Sequence, residues 1–398
     1  MEVNEVLRMA NECLKCKNPL CVKACPINMN IPDFINCIKE KNFDEAKKVI
    51  VHKSYLGSIC GRVCPHNKQC EGSCIKGIKG NNVHIGALES YAFDRSIKFD
   101  VTEELKNLNV AIIGSGPAGL QCAARLRSKG TNVTIYEKES TLGGILTYGI
   151  PDMRLPKDIV KKVIDDILSM GINVKTNSCF GIDYSVNDLK SKGYDIIFLA
   201  IGAEISKMLN ITGTDLQGVY GANEFLRKHD LQKNENVIVV GGGNVAMDVA
   251  CVSAVGGANV TVIYRKKKEN MPANLKEIEL AEDLGVKFIF EENVEQIIGN
   301  KVVNSVKISC GDIIKADKVI MAIGSEPNKS LLTEFEKNDD GLLKVDEYGE
   351  TSIRNVYAGG DLTEPKATVC MAIKTANTVA DRVINLYSDR MEKDEIKV

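Results

Sequence analysis

Cysteine is the residue type with the most chemistry to offer here. Nine of the 14 cysteines lie between residues 13 and 74, eight of them in two runs on either side of Cys37: Cys13, Cys16, Cys21 and Cys25 with Pro26 next, then Cys60, Cys64 with Pro65 next, Cys70 and Cys74. A CxxC pair followed by a third cysteine and then Cys-Pro is the spacing by which ferredoxin-type segments hold cubane iron–sulfur clusters, the cysteine before proline commonly serving the other cluster. Two 4Fe–4S clusters are expected. Structural zinc is the competing chemistry, but zinc ribbons usually pair two CxxC units and this region has one. Cys37 is read as a core residue on a helix face. Cys122, Cys179, Cys251, Cys310 and Cys370 are scattered, and buried small apolar residues are the role expected of them.

Two glycine loops offer a second chemistry. Asn109 to Ile113 reads as a buried parallel strand, GSGPAG at 114–119 opens a helix running to about Lys129, and Val133 to Tyr136 reads as the return strand. Gly114 allows the tight turn, Gly116 lets the backbone approach a pyrophosphate, and Gly119 permits close packing of helix on strand. The helix N-terminus then offers free amides and its positive dipole end to the phosphates. Glu137 closes the second strand, where a carboxylate can accept from adenosine ribose hydroxyls. The unit recurs: Val237 to Val240, GGGNVA at 241–246, and Val260 to Tyr264. Aligning NVTIYEK at 132–138 with VTVIYRK at 260–266 puts Arg265 where Glu137 stands. A carboxylate there repels a 2′-phosphate, whereas a guanidinium binds it with bidentate, charge-assisted hydrogen bonds. The second loop, carried by Gly241 and Gly243, therefore favours NADP over NAD. Lys266 adds positive charge; Lys267 and Lys268 either do the same or form a solvated basic turn. Asn244 either caps the helix, the more ordinary role, or contacts the nicotinamide half.

These loops and cysteines need elements to position them. The character of the chain changes near residue 105, from cysteine-rich to alternating strand and helix. LAIGAE at 199–204 and VIMAIGSEP at 319–327 are short apolar strands ending in glycine turns that bracket the second loop, as in one domain nested within another. The expected architecture is α/β: a helical iron–sulfur domain at 1–104, a first nucleotide domain split into 105–205 and 325–398, and a second at 206–324. Near the end, a strand leads to Gly359, Gly360 and Asp361 and then a helix beginning near Thr368. Such an acid can hydrogen-bond a ribityl hydroxyl, and such a helix N-terminus can stabilise charge on a reduced flavin; taken alone, GGD is only a turn. The formal net charge of −2 gives no electrostatic footprint for nucleic acid or an anionic membrane. The acidic opening MEVNEVLRMANECL has no apolar signal core, and no run approaches a membrane span, so a cytoplasmic protein is expected, with metal ligation rather than disulfides behind the cysteine density.

ICGRVCPHNKQCEGSC at 59–74, GGILTYGIPDMRLPKDIV at 143–160 and VYAGGD at 356–361 carry a resemblance. From Cys13 to Val383 the chain resembles the small subunit of bacterial glutamate synthase and its relatives: the electron-input half of dihydropyrimidine dehydrogenase, its bacterial small subunit, and the NADPH-binding subunit of bifurcating transhydrogenase. The resemblance implies two nested Rossmann-like domains similar to the pyridine nucleotide-disulfide oxidoreductases, with FAD in the first unit. It implies NADPH in the second, with NADH possible, and two 4Fe–4S clusters in the amino-terminal domain. Gly143, Gly144 and a following strand would lie beside the flavin, with Asp361 on its ribityl chain. One cluster would take Cys13, Cys16, Cys21 and Cys74. The other would take Cys25, Cys64, Cys70 and a non-cysteine ligand, in whose place within VHIGALES stands Glu89. Cys60 competes for that place, and is otherwise a buried thiol beside the cluster.

Hydride transfer from nicotinamide to flavin needs close, oriented approach and no ionisable catalytic residue, so the lack of a triad or metal-water motif is expected. No terminal substrate site is recognisable, and a larger catalytic redox subunit is the expected partner. A thioredoxin-reductase-like enzyme shares the nested domains but needs a dithiol where Cys251 stands alone. A cluster sensor would need a nucleic-acid surface. An autonomous diaphorase reducing small acceptors stays open.

Overall fold

The computed structural model describes residues 1–78, 80–95, 98–228, 230–364 and 368–395. The chain forms two compact units, one of residues 1–147, 152–202 and 327–398, the other of residues 148–151 and 203–326.

In the first unit a five-stranded sheet runs in the order Val356–Ala358, Ile196–Leu199, Asn109–Ile113, Asn132–Tyr136, Asn173–Lys175, with every pairing parallel. Parallel strands covered on both faces need apolar runs rather than alternation, and NVAII and IIFL supply them. Successive strands step outward on one side of Asn109–Ile113, and the chain then returns to its other side. The loop after that strand therefore opens at the switch point where ligands of such sheets bind. The second unit repeats the plan in the order Val219–Gly221, Lys318–Met321, Asn236–Val240, Asn259–Tyr264, Lys287–Phe290, again parallel. The registers match, Asn109 opposite Asn132 in one sheet and Asn236 opposite Asn259 in the other. An antiparallel sheet of Val294–Gly299, Val303–Ile308 and Ile313–Lys315 packs its apolar face under this second sheet.

The amino-terminal helices belong to the first unit. Helix Gly57–Val63 lies so close to helix Ile85–Phe93 that a Cβ on Gly61 would sit 2.5 Å from the Gly86 carbonyl oxygen. A buried glutamine fastens these helices to the nucleotide fold. Gln121, on helix Pro117–Arg127, accepts from the Tyr55 N–H at 2.8 Å and donates to Asn377 at 2.8 Å and the Lys53 carbonyl at 3.3 Å. Asn377 in turn donates to the Lys53 carbonyl at 2.8 Å. Each of these buried polar groups is thereby satisfied, which is what lets them sit in the interior. No helix among the described residues is long and apolar enough to cross a membrane.

Candidate nucleotide and cluster sites

The two glycine loops are built alike. Gly114 has φ of +99° and Gly241 of +137°, and a Cβ on either would strike the carbonyl oxygen of the adjacent strand end, Ala200 at 2.5 Å or Ala322 at 2.2 Å. Only glycine holds such a turn without strain. Gly119 backs the first loop, where a Cβ would lie 1.9 Å from the Gly114 oxygen. By contrast Gly116 faces open space, and Gly243 has only Pro272 Cγ within 4.0 Å. Helices Pro117–Arg127 and Asn244–Val255 start there with no side-chain cap on Gly116 or Gly243. Their first amides are left for an anion, and both cradles fit a dinucleotide pyrophosphate.

The residues at the ends of the return strands differ in what they touch. Glu137 is buried and accepts from Ser115 N–H at 2.9 Å, Ser115 Oγ at 2.5 Å and Glu139 N–H at 2.9 Å. Three of its roughly four acceptor sites are thus spent on the loop, leaving about one for a ribose hydroxyl. Ser115 Oγ also accepts from Gly143 N–H at 3.0 Å, and a Cβ on Gly144 would come within 3.0 Å of Gly116 Cα. Gly143 and Gly144 therefore wall the first cradle. The segment after them is the helix Ile145–Tyr148 and not the strand expected, since the Gly143 and Gly144 carbonyls accept from the Leu146 and Thr147 N–H groups and the Leu142 carbonyl from the Thr147 hydroxyl. Arg265 is exposed, and its guanidinium makes no hydrogen bond or ion pair among the described residues, as with Lys266 and Lys267; Lys268 is committed to Glu282. Asn244 is not the cap expected of it. It is the first helical residue after Gly243, and its Oδ1 accepts from Asn274 N–H at 2.9 Å.

Gly360 follows Val356–Ala358 with φ of +68° and donates its N–H to Thr375 Oγ1 at 2.7 Å. Asp361 beside it has no hydrogen-bond partner among the described residues, and burial, with Glu364 adding repulsion, pushes its carboxyl up to about 6. An unpartnered acid at this end of the first sheet fits a flavin's ribityl hydroxyls.

The cysteines gather in two places. Cys13, Cys16, Cys21 and Cys74 line one pocket with Pro19, Leu20, Ile31 and Ile35. Burial pushes the Cys21 thiol up to about 11, with Cys13, Cys74 and Cys16 adding to the cost of a charge there. Around the second place stand Cys25, Cys60, Cys64, Cys70 and Glu89. Burial pushes Cys25 up to about 12, with Glu89 and Cys60 contributing, and raises Cys70 further, with Glu89 and Cys25 contributing. Glu89 is 7% exposed, has no hydrogen-bond partner among the described residues, and is pushed up to about 8 by burial and by Cys370. Sulfur ligands bind metal as thiolates, so burying this many thiols with a carboxyl makes sense once cations compensate the charge. Among the described residues no three Cys, His, Asp or Glu side chains close on a single ion. Four cysteine sulfurs around one pocket fit the four-thiolate ligand set of a 4Fe–4S cluster.

Three other cysteines depart from expectation: Cys37 on helix Ile31–Lys39 and Cys179 are half-buried rather than in the core, and Cys310 is exposed. Cys370, expected to be a buried small apolar residue, is buried but sits beside the second group: its thiol accepts from Gln69 Nε2 at 3.3 Å, lies 3.4 Å from Thr368 Oγ1, and is pulled down to about 6 chiefly by its interaction with Cys64. Nothing in the spacing of a residue some 300 positions away signals this.

The family model described as pyridine nucleotide-disulphide oxidoreductase matches residues 108–380, and that described as dihydropyrimidine dehydrogenase domain II, 4Fe-4S cluster, matches residues 1–101. The glutamate synthase (NADPH) small chain of Escherichia coli is 32% identical, over 94% of this chain and 90% of its own. The NAD-dependent dihydropyrimidine dehydrogenase subunit PreT of Escherichia coli is 33% identical, over 95% and 93%. Among solved structures, a thioredoxin reductase of T. acidophilum superposes with a TM-score of 0.59 at 22% identity, over 71% of this chain and 98% of that one, a likeness of fold.

Proposed function

The chain belongs to the pyridine nucleotide-disulphide oxidoreductase family and carries an amino-terminal 4Fe–4S domain, and we propose that this NAD(P)H-dependent flavin oxidoreductase is the electron-input subunit of a larger redox enzyme of the glutamate synthase kind. One observation carries the reading. The helix Val369–Glu395 starts just after the Gly359–Asp361 turn of the flavin-side cradle and brings Cys370 against Gln69, the neighbour of Cys70 in the second cysteine group, so that one helix spans both sites. FAD supplies the exchange of a two-electron hydride for single electrons, and iron–sulfur clusters supply one-electron conduction.

The residues divide the remaining work. The amides after Gly116 and Gly243 hold pyrophosphates, Glu137 fixes the first loop and takes a ribose hydroxyl, and Asp361 holds the ribityl chain. Arg265 and Lys266 take the 2′-phosphate of NADPH, which favours the relative named for NADPH over the one named for NAD. Cys13, Cys16, Cys21 and Cys74 hold the first cluster; Cys25, Cys64, Cys70 and Glu89 hold the second. In the second set Cys70 and Glu89 are buried and Cys25 and Cys64 half-buried, whereas the first set is half-buried throughout, beside exposed Leu14 and Leu20. Electrons therefore leave by the first cluster, toward a catalytic partner that covers this apolar rim.

Anaerobically purified protein should hold about eight iron and eight sulfide per chain. With NADPH it should reduce one-electron acceptors, yet neither form glutamate from 2-oxoglutarate and glutamine nor reduce uracil until a large subunit is added. Glutamate synthesis by the single chain, or stoichiometric zinc without sulfide, would overturn the reading.

A further inference from the structure

We propose that the surface around the first cysteine group is the docking face for an acidic protein acceptor, with Leu14, Leu20 and Ile75 at its centre and Lys15, Lys17 and Lys23 drawing the acceptor's carboxylates to it. The inference rests on the reading of that group as the cluster from which electrons leave. Leu14, Leu20 and Ile75 line the same pocket as Cys13, Cys16, Cys21 and Cys74, and all three are exposed. Apolar surface at the mouth of such a site, rimmed by charge, has the anatomy of an interface.

Charge selects the partner. Between Cys13 and Asn30 the sequence has three lysines and no Asp or Glu, in a chain whose formal net charge is −2. Two other lysines at this site are spent inside the fold: Lys39 Nζ donates to the Cys13 carbonyl at 2.7 Å, and Lys76 pairs with Glu12 at 2.8 Å. Glu12 is also engaged by Arg8 at 3.7 Å, so this acid does not offset the remaining charge. Lys15, Lys17 and Lys23 are exposed, and their side chains make no hydrogen bond or ion pair among the described residues. Lys15 follows Leu14 directly, and Lys23 lies three residues after Leu20 on helix Leu20–Ala24, a spacing that makes the two side chains neighbours. Such ammonium groups attract carboxylates from beyond contact, over about 8 Å at physiological salt, and speed encounter more than they tighten the complex. Anionic lipid and nucleic acid carry no redox centre, so a one-electron donor within this ring faces an acidic protein.

The test follows NADPH oxidation by the whole, anaerobically purified chain with acidic plastocyanin or basic cytochrome c as acceptor. Each NADPH gives up two electrons and a proton; two acceptor molecules take one electron each, and the proton goes to solvent. At limiting acceptor, plastocyanin reduction should fall about tenfold or more between low salt and about 0.5 M salt, and cytochrome c reduction should not. Lys15→Glu, Lys17→Glu and Lys23→Glu combined should slow plastocyanin about tenfold at low salt and speed cytochrome c, with iron content and flavin reduction by NADPH unchanged. A plastocyanin rate indifferent to salt in the wild type would overturn the proposal without recourse to any variant. So would a rate unmoved in the triple variant, or salt-sensitive binding to phosphatidylglycerol vesicles in place of salt-sensitive electron transfer. Cys16→Ser separates the premise: undiminished plastocyanin reduction in that variant would show that electrons leave elsewhere.

Discussion

Exchange of Arg265 tests nucleotide choice at the residue that distinguishes the two otherwise parallel loops. Four consecutive basic residues stand there, but they are not equivalent. Arg265, Lys266 and Lys267 are exposed without partners among the described residues, whereas Lys268 is engaged by Glu282. A hydrogen bond to a charged group contributes about 1.5–3 kcal/mol, and at this solvated site the whole guanidinium–phosphate contact falls within that range. At about 1.4 kcal/mol per factor of ten, Arg265→Ala should lower the preference for NADPH over NADH by roughly 10- to 100-fold. Arg265→Glu should reverse it, because the carboxylate repels the 2′-phosphate and accepts from the ribose hydroxyls of NADH. Lys268→Ala should change the ratio less than about twofold, since that ammonium is already occupied. Stopped-flow reduction of the bound flavin over a range of NADPH and NADH concentrations gives the ratio directly. A ratio unmoved in Arg265→Ala, or moved as far in Lys268→Ala, would refute the assignment of the phosphate to Arg265.

Gly119→Ala places a Cβ 1.9 Å from the Gly114 carbonyl oxygen, a backbone atom, so the loop must open; a loss of about 1–3 kcal/mol and of bound FAD is expected, read by flavin content and thermal melting. Lys318 is 8% exposed and lies 2.8 Å from both oxygens of Glu235. Lys318→Met should cost about 3 kcal/mol in urea unfolding, with Glu235→Gln added to it restoring much of the loss. Asp361 carries a raised folded-state carboxyl at about 6 against 3.8, so the apoprotein binds its proton more tightly than the unfolded chain does. That contribution is present below about pH 4 and is lost as pH rises through 6, so Asp361→Asn apoprotein should exceed wild type by up to about 2–3 kcal/mol at pH 8, the gap closing toward pH 4. Cys16→Ser should remove one cluster, read as iron and EPR signal, while leaving the flavin reducible by NADPH.

Both glycine loops, with the strands and helices that flank them, are legible in the chain because their requirements are local. A positive φ at Gly114 or Gly241 and close packing at Gly119 arise within a few residues, and apolar runs between them can only be buried parallel strands. The replacement of Glu137 by Arg265 is equally local, one position in two aligned repeats. The cysteine spacing announces iron for the same reason, since Cys13, Cys16 and Cys21 lie within one short loop and helix. Tertiary structure decides what distance in sequence conceals. Glu137 mostly secures Ser115, Asn244 holds the Asn274 turn instead of capping, and Ile145–Tyr148 coils where a strand was expected, each according to which polar groups its neighbours leave unsatisfied. Cys370 shows the limit best. Its thiol meets Gln69 because the terminal helix docks on Gly57–Val63, a packing set by apolar surfaces and by Gln121 and Asn377 holding the Lys53–Tyr55 turn, and no pattern around residue 370 encodes a partner 301 positions earlier.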